Sequence, residues 1–201
     1  MLLVIESATA ACSVALIDGH DVVAQRHEIV GRGHAERLVP MIGEMLGGVK
    51  PSAVLVDCGP GSFTGIRVGL AAAHGLAIGW DVPVAGFTSM ALIAAAAGTN
   101  SELAVAVEGG HGQLFVQSYG RPLAPLDDLR SLPPAEAATA ISAQLVVGSA
   151  AGALVALRGY GEARDAIAVA ADACLLPDAL RALPARPIYG RAPDAKPMAA
   201  R

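Results

Sequence analysis

The sequence is poor in aromatic and in charged residues, and each shortage excludes a class of protein. Aromatic residues make up 3% of the 201 positions, so the core has to be built from Ala, Val, Leu and Ile, whose small size suits an α/β fold better than a β-sandwich. Only 16% of the residues are charged and 54% are hydrophobic, a balance that excludes disorder. The formal net charge of −4 argues against an extensive basic surface for nucleic acid or acidic membranes.

Cysteine is scarce as well, and long apolar runs are missing. The three cysteines stand far apart with no CxxC pair, which is typical of a reducing cytosol (Cys12, Cys58 and Cys174). The opening MLLVIES has no basic region or cleavage site of a secretory signal. No stretch offers the roughly 20 uninterrupted apolar residues of a membrane span. We therefore expect a soluble cytoplasmic protein.

Hydrophobic patterning predicts the order βββαβαβα for the first hundred residues. The Asp18-Gly19 pair is a strong hairpin signal between the second and third strands. Strands are expected at Leu2–Ser7, Cys12–Ile17, Asp21–Ile29, Ala53–Cys58 and Val82–Gly86, and helices at Gly33–Gly47, Ile66–Gly79 and Thr88–Ala97. A linker is expected at Gly98–Ser101.

Past the linker the patterns weaken. Strands are predicted at Leu103–Val107, Gln113–Tyr119 and Leu145–Val147, with a final strand near Ile188. Two alanine-rich stretches favour helix, Ala135–Ala140 and Ala166–Ala173. A second half that is again rich in strands and helices could be a structural duplicate of the first, although no repeat is visible residue by residue.

The glycine-rich loop at residues 59–65 is the most informative local motif. It follows a predicted strand and opens a helix, an arrangement that directs backbone N–H groups toward one point. It is neither a Walker A loop nor a GxGxxG fingerprint. Two interpretations stay open, a tight turn with a capped helix or an anion-binding loop, and the candidate residues of the second are Gly59, Gly61, Ser62, Thr64, Gly65 and Arg67.

Two sets of residues could bring helices together. Small residues recur four apart along the helix after the loop, which permits close approach of another element (Gly65, Gly69, Ala73 and Ala77). The preceding helix carries an apolar stripe with adaptable methionines (Leu38, Met41, Ile42 and Met45). Such patterns mark either internal packing or a contact with a partner.

Groups that could carry chemistry are sparse. No HxxxH or HExxH pair exists, so no metal site is predicted, and His34 is expected to be a helix cap or a surface residue. Ser62 and Thr64 lack a GxSxG elbow and a neighbouring histidine. Glu6 and Glu108 end predicted strands and could hold a metal–nucleotide, but a solvated carboxylate is the commoner explanation. No catalytic residue is predicted.

Four segments resemble the TsaB (YeaZ) family. They are the opening strand pair at residues 3–16, the helix segment at residues 34–42, the loop and helix at residues 59–69 and 74–77, and the closing Pro187-Ile188-Tyr189-Gly190-Arg191. The resemblance is close over residues 1–97, patchy from 103 to 160, and recovers near the end. GPGSFTG between a strand and a helix is its most specific part.

The resemblance implies an actin-like (ASKHA, RNase-H-like) α/β fold of two related subdomains, with mixed sheets flanked by helices. Residues 1–100 would form the first subdomain, and residues 101–201 a smaller, degenerate second one with a proline-rich tail. It also implies a non-catalytic partner of TsaD in making tRNA threonylcarbamoyladenosine. TsaD transfers the threonylcarbamoyl group in a heterodimer with this family, a TsaE-like ATPase joins them, and tRNA contact is indirect. No cofactor is implied, while weak nucleotide binding and a homodimer of the isolated chain stay open.

Two positions depart from the family pattern. The first strand usually ends in Asp-Thr, where this chain has Glu6-Ser7, and the second half usually carries Asp-Ala-Arg, where it has Glu108-Gly109-Gly110. Both changes weaken positions that related folds use around nucleotide phosphates, so independent nucleotide hydrolysis is not expected. The alternatives are a nucleotide-dependent enzyme of the ASKHA type, a peptidase homologue, or a plain homodimeric scaffold.

The small-residue ridge and the apolar stripe together suggest a four-helix contact with the equivalent helices of a partner. A stable contact of this kind buries at least about 1,000 Å². On this hypothesis Ala73→Glu blocks assembly, unless Ala73 points inward, in which case the same change unfolds the monomer.

Overall fold

A computed structural model describes residues 1–190 of the chain. The first half begins with three antiparallel strands, β1 (Leu2–Glu6), β2 (Ala11–Asp18) and β3 (Asp21–Ile29). Helix α1 (His34–Leu46), strand β4 (Ala53–Asp57), helix α2 (Phe63–Trp80), strand β5 (Val84–Phe87) and helix α3 (Ser89–Ala96) follow. The predicted order βββαβαβα is therefore confirmed, with boundaries that move by up to three residues.

The first sheet is mixed, in the order β3-β2-β1-β4-β5. Strand β1 pairs antiparallel with β2 and parallel with β4, and the parallel register aligns Leu2 with Ala53 and Ile5 with Val56. The hairpin predicted at Asp18-Gly19 is present, and Gly19 takes the positive φ of 62° that such turns need. Because β1 and β4 run in the same direction, the turn after β1 and the glycine-rich loop after β4 meet at one edge of this sheet.

The second half builds another mixed sheet, in the order β11-β10-β6-β7-β8, with β9 paired to β7. Its strands are β6 (Leu103–Glu108), β7 (Leu114–Gly120), β8 (Ala124–Pro125), β9 (Arg130–Leu132), β10 (Leu145–Val147) and β11 (Glu162–Arg164). Its helices are α4 (Pro134–Ala140) and α5 (Ala151–Arg158), and two 3₁₀ helices follow at Ala170–Leu175 and Asp178–Leu180. The sequence did not predict β8, β9, β11 or α5.

The final strand expected near Ile188 is wrong. Leu183 instead forms an isolated bridge with Gly86 at the edge of β5, and the Ile188 N–H donates to the Cys58 carbonyl over 2.7 Å. Segment 183–189 therefore crosses the end of the first sheet as a strap rather than joining it as a strand. The part of the closing family motif at Arg191, together with Pro193 and Pro197 of the proline-rich tail, lies outside the described residues.

The hydrophobic core lies in three layers. Helices α1 and α2 cover one face of the first sheet, and α4 and α5 cover the outer face of the second. The central layer joins the two sheets, because side chains of β1, β4 and β5 share one cluster with α3 and with side chains of β6 and β7. Two mixed sheets flanked by helices are the fold class that the sequence predicted. Within residues 1–190, no helix is long and apolar enough to cross a membrane.

Candidate partner surface and cleft

Three backbone N–H groups of the glycine-rich loop have acceptors inside the protein. The Gly59 N–H donates to Asp57 over 2.8 Å, and the Ser62 N–H donates to the Ala8 carbonyl over 2.7 Å. The Ser62 hydroxyl accepts the Gly65 N–H at 3.3 Å and so caps α2, as Ser and Thr commonly do. These contacts hold the loop against the turn after β1.

The glycines of the loop allow two backbones to touch. A Cβ on Gly61 would overlap the Ala8 carbonyl oxygen, and a Cβ on Gly65 would overlap the Ser7 carbonyl oxygen. Gly59 has a φ of 101°, which side chains other than glycine rarely adopt. These features favour the interpretation of the motif as a tight, capped turn.

Arg67 lies on the outer side of α2, where the strap engages it. Its Nε donates to the Tyr189 hydroxyl over 3.0 Å, and the guanidinium carbon lies 5.4 Å from the Tyr189 ring and 5.7 Å from the Phe63 ring. The two rings also contact each other, at 4.6 Å between centroids. The structure therefore joins Arg67 to the strap. Anion binding by Arg67 and Thr64 stays a prediction from the sequence.

The contacts of Arg67 lead to a prediction about anions. We expect inorganic phosphate and Mg-ATP to shift the melting temperature of wild type and Arg67→Ala equally, because three of the loop's N–H groups and the Arg67 Nε already have partners. Differential scanning fluorimetry across a ligand titration measures this. A phosphate-dependent stabilisation that is lost in Arg67→Ala, but kept in a matched Arg32→Ala variant, would instead assign an anion site to the loop.

The apolar stripe of α1 faces inward, away from solvent. All four of its residues are buried in one cluster with the first sheet (Leu38, Met41, Ile42 and Met45). The stripe therefore serves the monomer's own core, since an amphipathic helix buries its apolar face on the nearest sheet. The structure thus contradicts the prediction that these four residues contact a partner, and they are core residues instead.

The small-residue ridge of α2 also faces inward. Gly65, Gly69, Ala73 and Ala77 are all buried. A Cβ on Gly69 would overlap the Ser7 hydroxyl, and that hydroxyl donates to the Gly65 carbonyl over 3.0 Å. The ridge thus brings α2 onto β1, and its residues are buried within the monomer.

A different face of the same two helices is exposed. Ile78 on α2 is 83% exposed and Val39 on α1 is 56% exposed. Ala71 and Gly75 lie on the exposed side of α2, and α1 and α2 pack side by side. We call these four positions, Val39, Ala71, Gly75 and Ile78, the outer helix face. The hydrophobic pattern did not predict this face, although the position of Ile78 next to the buried Ala77 could have indicated it.

A cleft of about 480 Å³ separates the loops of the two sheets. Its polar lining comes from both halves of the chain (Thr9, Ser62, Glu108, His111 and Ser149). Glu108 is exposed, as a solvated carboxylate is expected to be. In the described part of the chain, no group of three or more His, Cys, Asp and Glu residues is placed to hold a metal ion.

Glu6 and His34 differ from expectation. Glu6 is fully buried, and its carboxylate accepts the N–H groups of Ala8 and Thr9 at 3.0 Å each. His34 is buried too, with Nε2 at 3.1 Å from the Thr9 carbonyl and 3.0 Å from the Ala11 carbonyl. The local sequence does not distinguish a buried polar residue from an exposed one, because the hydrogen bonds that satisfy a buried group form only when the chain folds.

Solved structures place this architecture in the actin-like class. The chain superposes on YeaZ from Pseudomonas aeruginosa with a TM-score of 0.78 at 25% identity, over 94% of this chain and 98% of that one. The ethanolamine utilization protein EutJ from Carboxydothermus hydrogenoformans shares the fold alone, with a TM-score of 0.50 at 12% identity over 87% of this chain and 89% of that one. The fold class inferred from the sequence is confirmed.

Sequence comparisons give the family. The family profile "TsaD: tRNA N6-adenosine threonylcarbamoyltransferase" matches residues 22–148. The tRNA threonylcarbamoyladenosine biosynthesis protein TsaB of Escherichia coli is 35% identical over 60% of this chain and 55% of its own length. An uncharacterized protein of Mycobacterium bovis is 33% identical over 98% of this chain and 95% of its own. The chain belongs to the TsaB (YeaZ) family.

The match to relatives that carry the TsaB name is partial. The chain covers 55% of the Escherichia coli protein and 42% of the Haemophilus influenzae protein, about half their length.

Proposed function

We propose that this chain is a partner subunit in tRNA threonylcarbamoyladenosine biosynthesis, which binds a TsaD-type transferase and carries none of the transfer chemistry. Membership of a family whose named relatives act in this biosynthesis is the observation that carries the proposal. A TsaE-like ATPase joins the assembly, and tRNA contacts the chain only indirectly, in keeping with the net charge of −4. No cofactor is part of the proposal.

The positions of the polar groups near the cleft support a non-catalytic role. The Ser62 hydroxyl accepts a hydrogen bond from the helix it caps, and the Glu6 carboxylate is turned into the turn after β1 rather than into the cleft. A nucleophile or general base has to reach a substrate atom within hydrogen-bond distance. These two groups instead stabilise loops.

The outer helix face is the surface we assign to the TsaD-type partner. It combines an isoleucine that is 83% exposed with Ala71 and Gly75. Because alanine has only a methyl group and glycine has no side chain, the α2 backbone is accessible to another helix there. Val39 extends the apolar surface onto α1. A four-helix contact on this face keeps the geometry suggested by the sequence but uses the opposite side of each helix.

Replacing Ile78 by aspartate tests this surface. We expect the affinity for a TsaD-type protein to fall at least tenfold, because a carboxylate would lose its water at the centre of the contact. Isothermal titration calorimetry measures the affinity, and circular dichroism checks the fold. Leu157→Asp is the matched control, since Leu157 is 56% exposed on α5, which packs on the second sheet. Equal affinities of wild type and Ile78→Asp would contradict the assignment.

The cellular role has its own experiment. In cells depleted of the chromosomal protein, we expect the threonylcarbamoyladenosine content of tRNA to fall and to be restored by wild type but not by Ile78→Asp. Mass spectrometry of tRNA nucleosides measures the content. Unchanged modification after depletion would contradict the role, and transfer by the purified chain alone would contradict the non-catalytic part of it. Sedimentation of the isolated chain decides whether the same face forms a homodimer.

A further inference from the structure

Two carboxyl groups are buried side by side at the ends of β1 and β4. Glu6 is 0% exposed and Asp57 is 1% exposed. The parallel register that aligns Ile5 with Val56 continues by one residue to Glu6 and Asp57, and register neighbours on parallel strands point to the same face. Both side chains therefore lie on the face that α3 covers.

Their hydrogen bonds are unequal. Glu6 receives three donors, since Oε1 accepts the Ala8 and Thr9 N–H groups and Oε2 accepts the Thr9 hydroxyl at 3.2 Å. Asp57 receives two, both on Oδ1, from the Gly59 N–H at 2.8 Å and the Ser89 N–H at 3.0 Å. Asp57 Oδ2 is buried and has no hydrogen-bond partner among the described residues.

A buried oxygen without a donor is unfavourable in an ionised carboxylate, whereas it is well accommodated as the O–H of a protonated carboxyl group. A buried charged oxygen without a donor forfeits its hydration without compensation. A protonated Asp57 would keep Oδ1 as its acceptor and carry hydrogen on Oδ2, where it can donate to the neighbouring carboxylate. The three donors around Glu6 fit the charged member of such a pair.

Among residues 1–190, no cationic side chain lies close enough to either carboxyl group to affect its pKa. Helix α3 carries no ionisable side chain, and the thiols of Cys12 and Cys58 have pKa values raised to about 11 by burial, so they are neutral at physiological pH. The 3₁₀ helix at Ala170–Leu175 contributes Asp172, whose pKa is raised by burial and which faces His27 on β3, as well as Cys174. Burial, followed by the charge of Glu6, raises the pKa of Asp57 well above its usual range. Burial also raises the pKa of Glu6, and the donors from Thr9 and Ala8 offset part of that rise.

We propose that Glu6 and Asp57 form a buried acid–carboxylate pair, in which Asp57 Oδ2 holds a proton and donates a hydrogen bond to the Glu6 carboxylate. The pair joins three segments, since Glu6 holds the turn after β1 while Asp57 holds the glycine-rich loop through Gly59 and the start of α3 through Ser89. Two of these segments line the cleft. Loss of the proton places two negative charges in one buried site and weakens the contacts that hold the two cleft-lining segments. The pair therefore acts as a pH-sensitive lock on these segments.

Asp57→Asn tests the lock, because an amide donates to Glu6 at every pH and still accepts from Gly59 and Ser89. The folded wild type retains a proton that the unfolded chain has released, so its stability falls as pH rises above the ordinary carboxyl range. We expect the folding equilibrium constant of wild type to drop relative to Asp57→Asn, by up to tenfold per pH unit for one proton. Urea unfolding from pH 5 to pH 9 measures this. Glu102→Gln, an exposed change of the same charge, should follow wild type.

The ion pairs of Arg37 with Glu28 and Glu44 act in the opposite direction, losing stability as pH falls, and they cancel in the comparison because both proteins retain them. Parallel pH curves for wild type and Asp57→Asn would overturn the proposal. So would a ¹³C carboxyl titration of wild type in which Asp57 is ionised at pH 7, a measurement that needs no variant. Stabilisation of wild type by Mg²⁺ that Asp57→Asn loses would assign the pair to a cation instead.

Discussion

Gly65→Ala is expected to lower the free energy of unfolding by about 3 kcal/mol, at the upper end of the usual cost of adding a methyl group to a packed site. The new Cβ would overlap the Ser7 carbonyl oxygen, which is backbone and cannot rotate away. Helix α2 would have to move off β1, and the hydrogen bond from the Ser7 hydroxyl to the Gly65 carbonyl would break. Urea unfolding followed by circular dichroism measures the change.

Gly75→Ala is the matched control on the same helix. Gly75 is exposed, and a Cβ there would meet no atom within 4 Å. Because alanine favours helix over glycine by about 1 kcal/mol, this variant should be as stable as wild type or more so. Equal losses in both variants would mean that α2 does not pack on β1 through its small residues.

Ala73→Glu is expected to unfold the monomer, with a loss of at least about 3 kcal/mol. Ala73 is fully buried between α2 and the first sheet, and a carboxylate there would have neither water nor a cation. The sequence left two outcomes open, a folded monomer that fails to assemble or an unfolded monomer, and the burial of Ala73 favours the second. Near-UV and far-UV circular dichroism, with size-exclusion chromatography, distinguish the two outcomes.

Ala71→Glu tests the exposed face of the helix whose buried face carries Ala73. Ala71 is exposed, so the change should alter stability by no more than about 0.5 kcal/mol. It should nonetheless weaken binding of the TsaD-type partner, because Ala71 lies on the outer helix face. If Ala73→Glu stayed folded and assembled normally, the orientation of α2 described above would be wrong.

The first half of the chain was predictable because its signals are local. Strand Asp21–Ile29 has the bounds that the sequence indicated, since a hairpin pair precedes it. Helix α1 runs from His34 to Leu46, one residue inside each end of its predicted span, because apolar residues at helical spacing end at a glycine pair. Short-range patterns such as these need no knowledge of the neighbouring elements.

The second half was less predictable because its elements depend on their partners. Strand β11 (Glu162–Arg164) is exposed and polar, and only its parallel pairing with β10 makes it a strand. Of the alanine-rich stretch at residues 166–173, only the end from Ala170 onward is helical, in a 3₁₀ turn. Alanine favours helix through propensity alone, which tertiary contacts readily override.

The sequence by itself determined the strand–loop–helix around the loop at residues 59–65, through periodicity, and the family, through a specific motif. The resemblance to that family in turn implied the fold class. Only the tertiary structure decided what the motif touches. A row of small residues specifies close approach but not the surface approached, and here it is β1, through Ser7. In the same way, the sequence does not reveal whether a glutamate at a strand end is buried or exposed to water. Glu6 lies in the dry layer beside Asp57 because two parallel strands end in register, a relation between residues about fifty positions apart in the chain.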